Sequence, residues 1–345
     1  MRIMSFTALL LSLFSCCGKG YTDLDVESFA AKIDEAGITL LDVRTAEEYS
    51  EKHIPGAANI DWYGEDFMEK TLAAYPTETP LAIYCRSGKR STEAAKALSK
   101  EGYPVFNLLG GFNAWNEAGK RVTRYEVETF LTDSGVPVRI TLVKHGSLEV
   151  AYKGVSIQVD PVSGLGKPTD YATEFPKADV ILVTHEHQDH LDEEALKALE
   201  KEGTALFLNK AGANVIGRGK VISNGESAEL PEGIRLEAVP AYNTTPGRER
   251  FHSKGNGNGY VLTMDGLRIY IAGDTEDIPE MAGLEDIDVA FLPVNQPYTM
   301  TVEQCAKAAS AFKPKVLIPY HFSQTDISGL PAMLPGIEVR LRNMN

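Results

Sequence analysis

The stretch that most restricts this chain is Thr184-His185-Glu186-His187-Gln188-Asp189-His190. It follows directly on the apolar run Val180-Ile181-Leu182-Val183, which reads as a buried strand. Three His and one Asp fall within six residues of a chain that holds only 7 His. Core packing has no use for that density of imidazole, and a solvated turn does not need it. Neutral imidazole and carboxylate together suit a divalent transition metal. The fold must therefore set His185, His187, Asp189 and His190 at the end of a strand.

At ~100–200 residues per domain, 345 residues predict two domains or three. The chain opens with Arg2 and a short apolar run ending Leu13-Phe14-Ser15-Cys16, the pattern of a secretory signal. The run is shorter than the roughly 20 apolar residues that a membrane-spanning helix needs. Its end resembles the lipobox of bacterial lipoproteins, which implies lipidation at Cys16. Residues 1–20 are then signal and tether, and the protein is expected at the bacterial cell envelope, lipid-anchored to a membrane and facing the periplasm or the surface. From residue 21 to 124 short apolar strands, such as Leu81-Ala82-Ile83-Tyr84, alternate with helical stripes, as in a parallel sheet covered on both faces. Residues 125–137, with Asp133-Ser134-Gly135-Val136-Pro137, read as a linker. Residues 138–345 begin as a β-meander and continue with further strands. Cys305 lies on the apolar face of a helix with Val302, Ala309 and Phe312 and reads as a core filler.

Cys85 has a different setting. It ends a strand and opens the loop Cys85-Arg86-Ser87-Gly88-Lys89-Arg90, which leads into a helix. Backbone N–H groups converge at such a helix start, and three cationic side chains add to the field. Both favour an anionic sulfur and make Cys85 a candidate nucleophile. The segment resembles the rhodanese family. Leu41-Asp42-Val43-Arg44, then Glu48-Tyr49, then His53-Ile54-Pro55-Gly56-Ala57-Ala58-Asn59-Ile60 match its early motifs, and Gly110-Gly111-Phe112-Asn113-Ala114-Trp115 matches its closing one. The resemblance implies a persulfide on Cys85, cradled by the amides from Arg86 through Ser87, Gly88 and Lys89 to Arg90, and a sulfur donor and a thiol acceptor as partners. It also implies that Asp42 and Arg44 are structural anchors. The six-residue loop is tighter than that of the related phosphatases and favours sulfur over a phosphate ester. An inactive or sulfur-sensing domain is the alternative.

The C-terminal part resembles the metallo-β-lactamase superfamily. Val159-Asp160-Pro161, the His run, Ala272-Gly273-Asp274-Thr275 and Pro319-Tyr320-His321 match its motifs in order. The resemblance implies a four-layer αββα fold behind a small, doubly wound rhodanese domain, α/β throughout. It implies two divalent metals, zinc first and manganese or iron as alternatives. His185 and His187 would serve one metal, Asp189, His190 and His321 the other, and Asp274 would bridge them. Cys85 and Asp189 are the residues marked as catalytic. A metal-activated water would attack a small-molecule substrate. At the third motif, where most members carry His, this chain has Asn243, a poorer ligand. The first metal is therefore expected to bind loosely, unless His252 reaches in from the following loop. His145, in Val143-Lys144-His145-Gly146, is expected to line the site or to lie in a half-exposed turn.

The pairing of a rhodanese with this superfamily also resembles persulfide dioxygenases, which bind one iron. Asn243 and the domain order speak against that reading. A non-enzymatic sulfur- or metal-binding protein is the remaining alternative. Net charge is −14 with no long basic run, so nucleic acid is not an expected partner.

Overall fold

The computed structural model describes residues 20–344. The expected signal segment and Cys16 lie outside the described residues. Among the described residues, no helix is long and apolar enough to cross a membrane. The chain forms two compact units. Among the described residues, one comprises residues 20–33, Ile38–Thr45 and Asn59–Ala118; the other comprises Asp34–Gly37, Ala46–Ala58 and residues 119–344.

In the first unit the strands Thr22–Leu24, Val105–Leu108, Leu81–Tyr84 and Thr39–Asp42 lie side by side in that order, all parallel. Leu41, Leu81, Ile83 and Leu108 are fully buried, as continuous apolar runs in a parallel sheet require. Asp42 and Arg44 form a buried ion pair, with Arg44 Nη2 2.6 Å and Nε 2.9 Å from Asp42 Oδ2. The guanidinium lies 4.2 Å from the centroid of the Phe112 ring. Asn59 Nδ2 donates to the carbonyls of Asp42 and Arg44. Both residues are thus packing anchors, as the rhodanese resemblance implies.

The second unit holds two seven-stranded sheets. One runs in the order Lys220–Val221, Ala205–Leu208, Val180–Val183, Val155–Val159, Ser147–Tyr152, Pro137–Lys144, Glu126–Leu131. The other runs Ser227–Glu229, Arg235–Ala241, Gly257–Met264, Leu267–Ile271, Val289–Pro293, Val316–Tyr320, Glu338–Val339. Val180 and Leu182 face a core shared with Leu262, Ile269, Phe291 and Ile318 of the opposite sheet. Ile181 and Val183 face the other way, onto Ala195, Leu196 and Leu199 of the helix Glu193–Leu199. A strand covered on both faces needs apolar residues at every position, and this one has them. The helix Val302–Phe312 starts at a Thr301–Gln304 capping box and buries Cys305, Ala309 and Phe312. Burial raises the Cys305 thiol to about 12, consistent with an inert filler.

The expected linker at 125–137 is a correction. Residues Glu126–Leu131 form an edge strand antiparallel to Pro137–Lys144, leaving only a short turn between them. The strand looks polar in sequence because Glu128 lies on it. That carboxylate is buried and ion-paired to Arg340 and to Arg342, whose Nε lies 2.5 Å away. Partners more than two hundred residues away leave no local trace.

Removing the Asp42 carboxylate takes a buried guanidinium's bidentate partner away. Asp42→Ala is expected to cost about 3–5 kcal/mol. Both Trp residues, Trp62 and Trp115, belong to the first unit, so urea unfolding followed by Trp fluorescence reads this change directly. An unchanged midpoint would refute it.

Candidate metal centre

The ends of strands in both sheets deliver the site. Val180–Val183 runs parallel to Val155–Val159, so the residues just beyond each end meet. Asp160, with φ 43°, accepts Thr184 N on Oδ1 at 2.7 Å and Thr184 Oγ1 on Oδ2 at 2.7 Å. His190 Nδ1 sits 2.7 Å from the same Oδ2. One buried carboxylate therefore fixes both the entry and the exit of the His run. From the other sheet, Asp274 follows Leu267–Ile271 and His321 follows Val316–Tyr320.

These residues converge on the Asp274 carboxylate. Its Oδ2 lies 3.2 Å from His252 Nε2 and 3.9 Å from His185 Nε2. Its Oδ1 lies 3.4 Å from His190 Nε2 and 3.4 Å from His321 Nε2. His187 Nδ1 lies 3.0 Å from His185 Nε2. Ligand atoms of His185, His187 and His252 fall within 4.8 Å of one another, as do those of His145, Asp189, His190 and His321. Six of the seven His in the chain meet here. Nε2 of His190, His252 and His321 and Oδ1 of Asp274 are buried and have no hydrogen-bond partner. Orphaned acceptors facing one another across 3–4 Å are costly unless a cation joins them. The donor set, imidazole and carboxylate, fits divalent metal.

The outward nitrogens are held. His185 Nδ1 is 3.0 Å from Thr184 Oγ1, and His252 Nδ1 is 3.1 Å from the Tyr298 carbonyl. With Asp160 on His190, three rings have Nδ1 engaged and Nε2 aimed inward, which sets tautomer and direction together. The field supports a cation too. Burial alone would raise the Asp274 pKa, but His321, His190, His252 and His185 hold it well below the usual range. Burial opposes charge on His190, yet Asp274, Asp160 and Asp189 raise its pKa, so positive charge is favoured at that point. Burial lowers the pKa of His185, His187 and His145, the direction that favours neutral ligand rings.

One expectation needs correction. Asn243 does not point an oxygen at the first group; its Nδ2 donates to the carbonyls of Tyr298, at 2.7 Å, and Arg248, at 3.2 Å. His252 is buried and completes that group from the loop. A loosely held first metal is therefore not what this geometry predicts, because three imidazoles are present. His145 lines the second group, one of its two expected places, from the turn that follows Pro137–Lys144. Its Nε2 lies 3.2 Å from Asp189 Oδ2, and its ring centroid lies 3.6 Å from that of His321, the two planes tilted by 39°. Asp189 Oδ2 is also 3.7 Å from His321 Nε2. Sequence reading missed Glu276, Glu186 and Asn295. Glu276 stands two residues past Asp274, but nothing in its neighbours marks it.

A cavity of about 360 Å³ opens onto the cluster, lined by His187, Asp189, Phe251, His252, Asp274, Asn295, Tyr298 and His321. Phe251 and Tyr298 pack edge to face, 5.0 Å between centroids. The lining thus joins an aromatic pair to imidazole, carboxylate and amide groups, a common pattern for small-molecule sites.

In the first unit, Cys85 follows the strand Leu81–Tyr84 and precedes the helix Lys89–Lys100, as expected. It is a free, buried cysteine. Arg86, Ser87 and Lys89 are exposed, and Gly88 turns into the helix at φ 89°. Arg90 lies over the Tyr63 ring, 5.3 Å from its centroid. The loop is braced from behind: Phe112 N donates to Cys85 O at 2.7 Å and Asn113 N to Arg86 O at 3.0 Å. A Cβ at Gly111 would stand 2.3 Å from Cys85 O, so only glycine allows this approach.

Residues 139–321 match the beta-lactamase superfamily domain, and residues 25–118 match the rhodanese-like domain. The chain is 31% identical over 201 residues to a UPF0173 metal-dependent hydrolase of Thermococcus onnurineus, covering 54% of this chain and 85% of that protein. A UPF0173 metal-dependent hydrolase of Ignicoccus hospitalis is 29% identical over 207 residues, covering 54% and 83%. A solved structure from Parabacteroides distasonis, described as a metal-dependent hydrolase, is 55% identical with a TM-score of 0.62, covering 64% of this chain and all (100%) of that one. Igni18, a metallo hydrolase from Ignicoccus hospitalis, is 26% identical with a TM-score of 0.51, covering 60% and 96%. With more than half its length matched, and a converged imidazole–carboxylate centre where the two sheets end, the chain belongs to the beta-lactamase superfamily, alongside the UPF0173 metal-dependent hydrolases, with a rhodanese-like domain preceding that part.

Proposed function

We propose that the C-terminal part is a hydrolase using two divalent metals, zinc first, acting on a small-molecule ester, lactone or phosphoester. The observation that carries this reading is the Asp274 carboxylate, which turns one oxygen to His252 and His185 and the other to His190 and His321. His185, His187 and His252 would hold one metal. Asp189, His190 and His321 would hold the other, with His145 against Asp189, and Asp274 would join the two. Divalent metals in that position would supply Lewis-acid polarisation of a scissile carbonyl or phosphoryl oxygen and a water acidified toward ~7. The chain's own contribution is orientation: Asp160, Thr184 and the Tyr298 carbonyl lock the rings, and Phe251 and Tyr298 wall the cavity where substrate would lie.

Elemental analysis is expected to find two metals per chain. Asp274→Ala should lower metal content and cut turnover by more than the roughly 10–100-fold that loss of an outer-shell partner costs. Full activity after chelation would overturn the mechanism. A single iron per chain, with oxygen consumption on glutathione persulfide, would move the domain to the dioxygenase reading.

We propose further that Cys85 carries sulfane sulfur from a donor such as thiosulfate to a thiol acceptor. The braced six-residue loop at a helix start supports this. Mass spectrometry after donor treatment should find one added sulfur on Cys85 and none in Cys85→Ala. Sulfur uptake that persists in the Ala variant would sink the assignment.

Envelope anchoring through Cys16 is the third proposal, supported by the lipobox-like end of the apolar run. Cys16→Ser should release the protein from membranes or block its processing. Unchanged membrane association, with no lipid label on the wild type, would defeat it.

A further inference from the structure

His252 reaches the centre from an irregular loop, whereas His185 and Asp274 stand just past strand ends. A loop is a poor place for a ligand unless it is held. This loop is held at several points. At its start, Asn243 N donates to His252 O at 2.9 Å, closing the loop on itself. The Asn243 side chain ties Tyr298 O and Arg248 O together. Tyr298 O is the same carbonyl that receives His252 Nδ1. Just behind, the buried Glu276 carboxylate accepts Thr244 N at 2.8 Å and Thr245 N at 2.6 Å on Oε2. Its Oε1 lies 3.5 Å from Arg248 Nη1. At the far end, Asn256 Nδ2 donates to Glu186 Oε1 at 2.8 Å and Oε2 at 3.0 Å. Asn209 Nδ2 reaches Glu186 Oε2 as well, at 3.0 Å. Glu186 stands between His185 and His187, so the loop is pinned directly to the His run.

We propose that Asn243, Glu276 and Glu186 form a three-point clamp that positions His252 as the third imidazole of the first metal group, replacing a ligand on the strand end. The inference rests on the two-metal reading above. It assigns a task to the three residues that the chemistry of the centre leaves unused. The Asn at the third motif is then the hinge pin of a relocated ligand, because its short, uncharged amide NH2 offers two N–H donors to the two carbonyls of Arg248 and Tyr298. Phe251, next to His252, is set in the cavity wall by the same clamp.

The test is zinc titration of the chelator-treated, full-length protein, with His252→Ala as the reference that identifies the first metal. Loss of an orienting partner costs about 10–100-fold in metal affinity. Asn243→Ala is expected to weaken the same zinc that His252→Ala loses by about that factor, and to leave the other zinc within about twofold. Asn256→Ala, which frees the far end from Glu186 at a partly open position, should act in the same direction. Glu276→Gln should retain binding, since its amide oxygen still accepts the two loop N–H groups, and Glu276→Ala should not. Unchanged zinc affinity in both Asn243→Ala and Asn256→Ala would overturn the clamp. Equal weakening of both zincs would overturn it too, since the effect would then be general. Wild-type protein that takes up no zinc would instead overturn the two-metal reading itself.

Discussion

The Asp160 carboxylate, fully buried, holds the centre together. It takes the Thr184 amide, the Thr184 hydroxyl and the His190 ring, and its own carbonyl receives Ser147 Oγ at 2.5 Å. A buried carboxylate is stable only when it is fully hydrogen-bonded or paired. Meeting that demand forces the residue after Val159 and the loop after Val183 into one arrangement. The left-handed backbone at Asp160 is the local strain that this convergence sustains. Once the His run is held at both ends, the opposite sheet needs only to bring Asp274 and His321 against it.

Charge then organises the remainder. Carboxylates and imidazoles interleave so that each Asp274 oxygen faces imidazole nitrogens and His190 stands among three carboxylates. Such an arrangement is neither a dry core nor a solvated surface. It is preorganised toward a cation, because the acceptors are already desolvated and aimed. The cost of leaving them orphaned is what makes the site specific: a substitution that keeps charge but moves a ring loses the convergence.

The rhodanese-like unit solves a different problem with the same economy. Its loop from Cys85 to Arg90 is short and has few side chains with which to brace itself. Bracing comes from the start of the next helix, where Gly111 permits backbone-to-backbone approach and Phe112 carries the Arg44 guanidinium against its ring. The buried Asp42–Arg44 pair therefore acts on the loop through packing against Phe112.

Local sequence determined much of this. Apolar runs bounded by turns marked Leu81–Tyr84 and Val180–Val183, because a strand covered on both faces tolerates nothing else at those positions. The Cys85 loop and the His run were legible because their chemistry is packed into consecutive residues. The place of His252 was legible only as one of two alternatives, since a loop ligand has no periodicity and its position depends on where Asn243, Glu276 and Glu186 fold against it. The edge strand Glu126–Leu131 was not legible, because its buried Glu128 makes sense only beside Arg340 and Arg342. Residues adjacent in the chain declare themselves through composition and period; those joined by long-range pairing acquire their role only when the sheets bring them within a few ångströms, where desolvation and charge decide what they do.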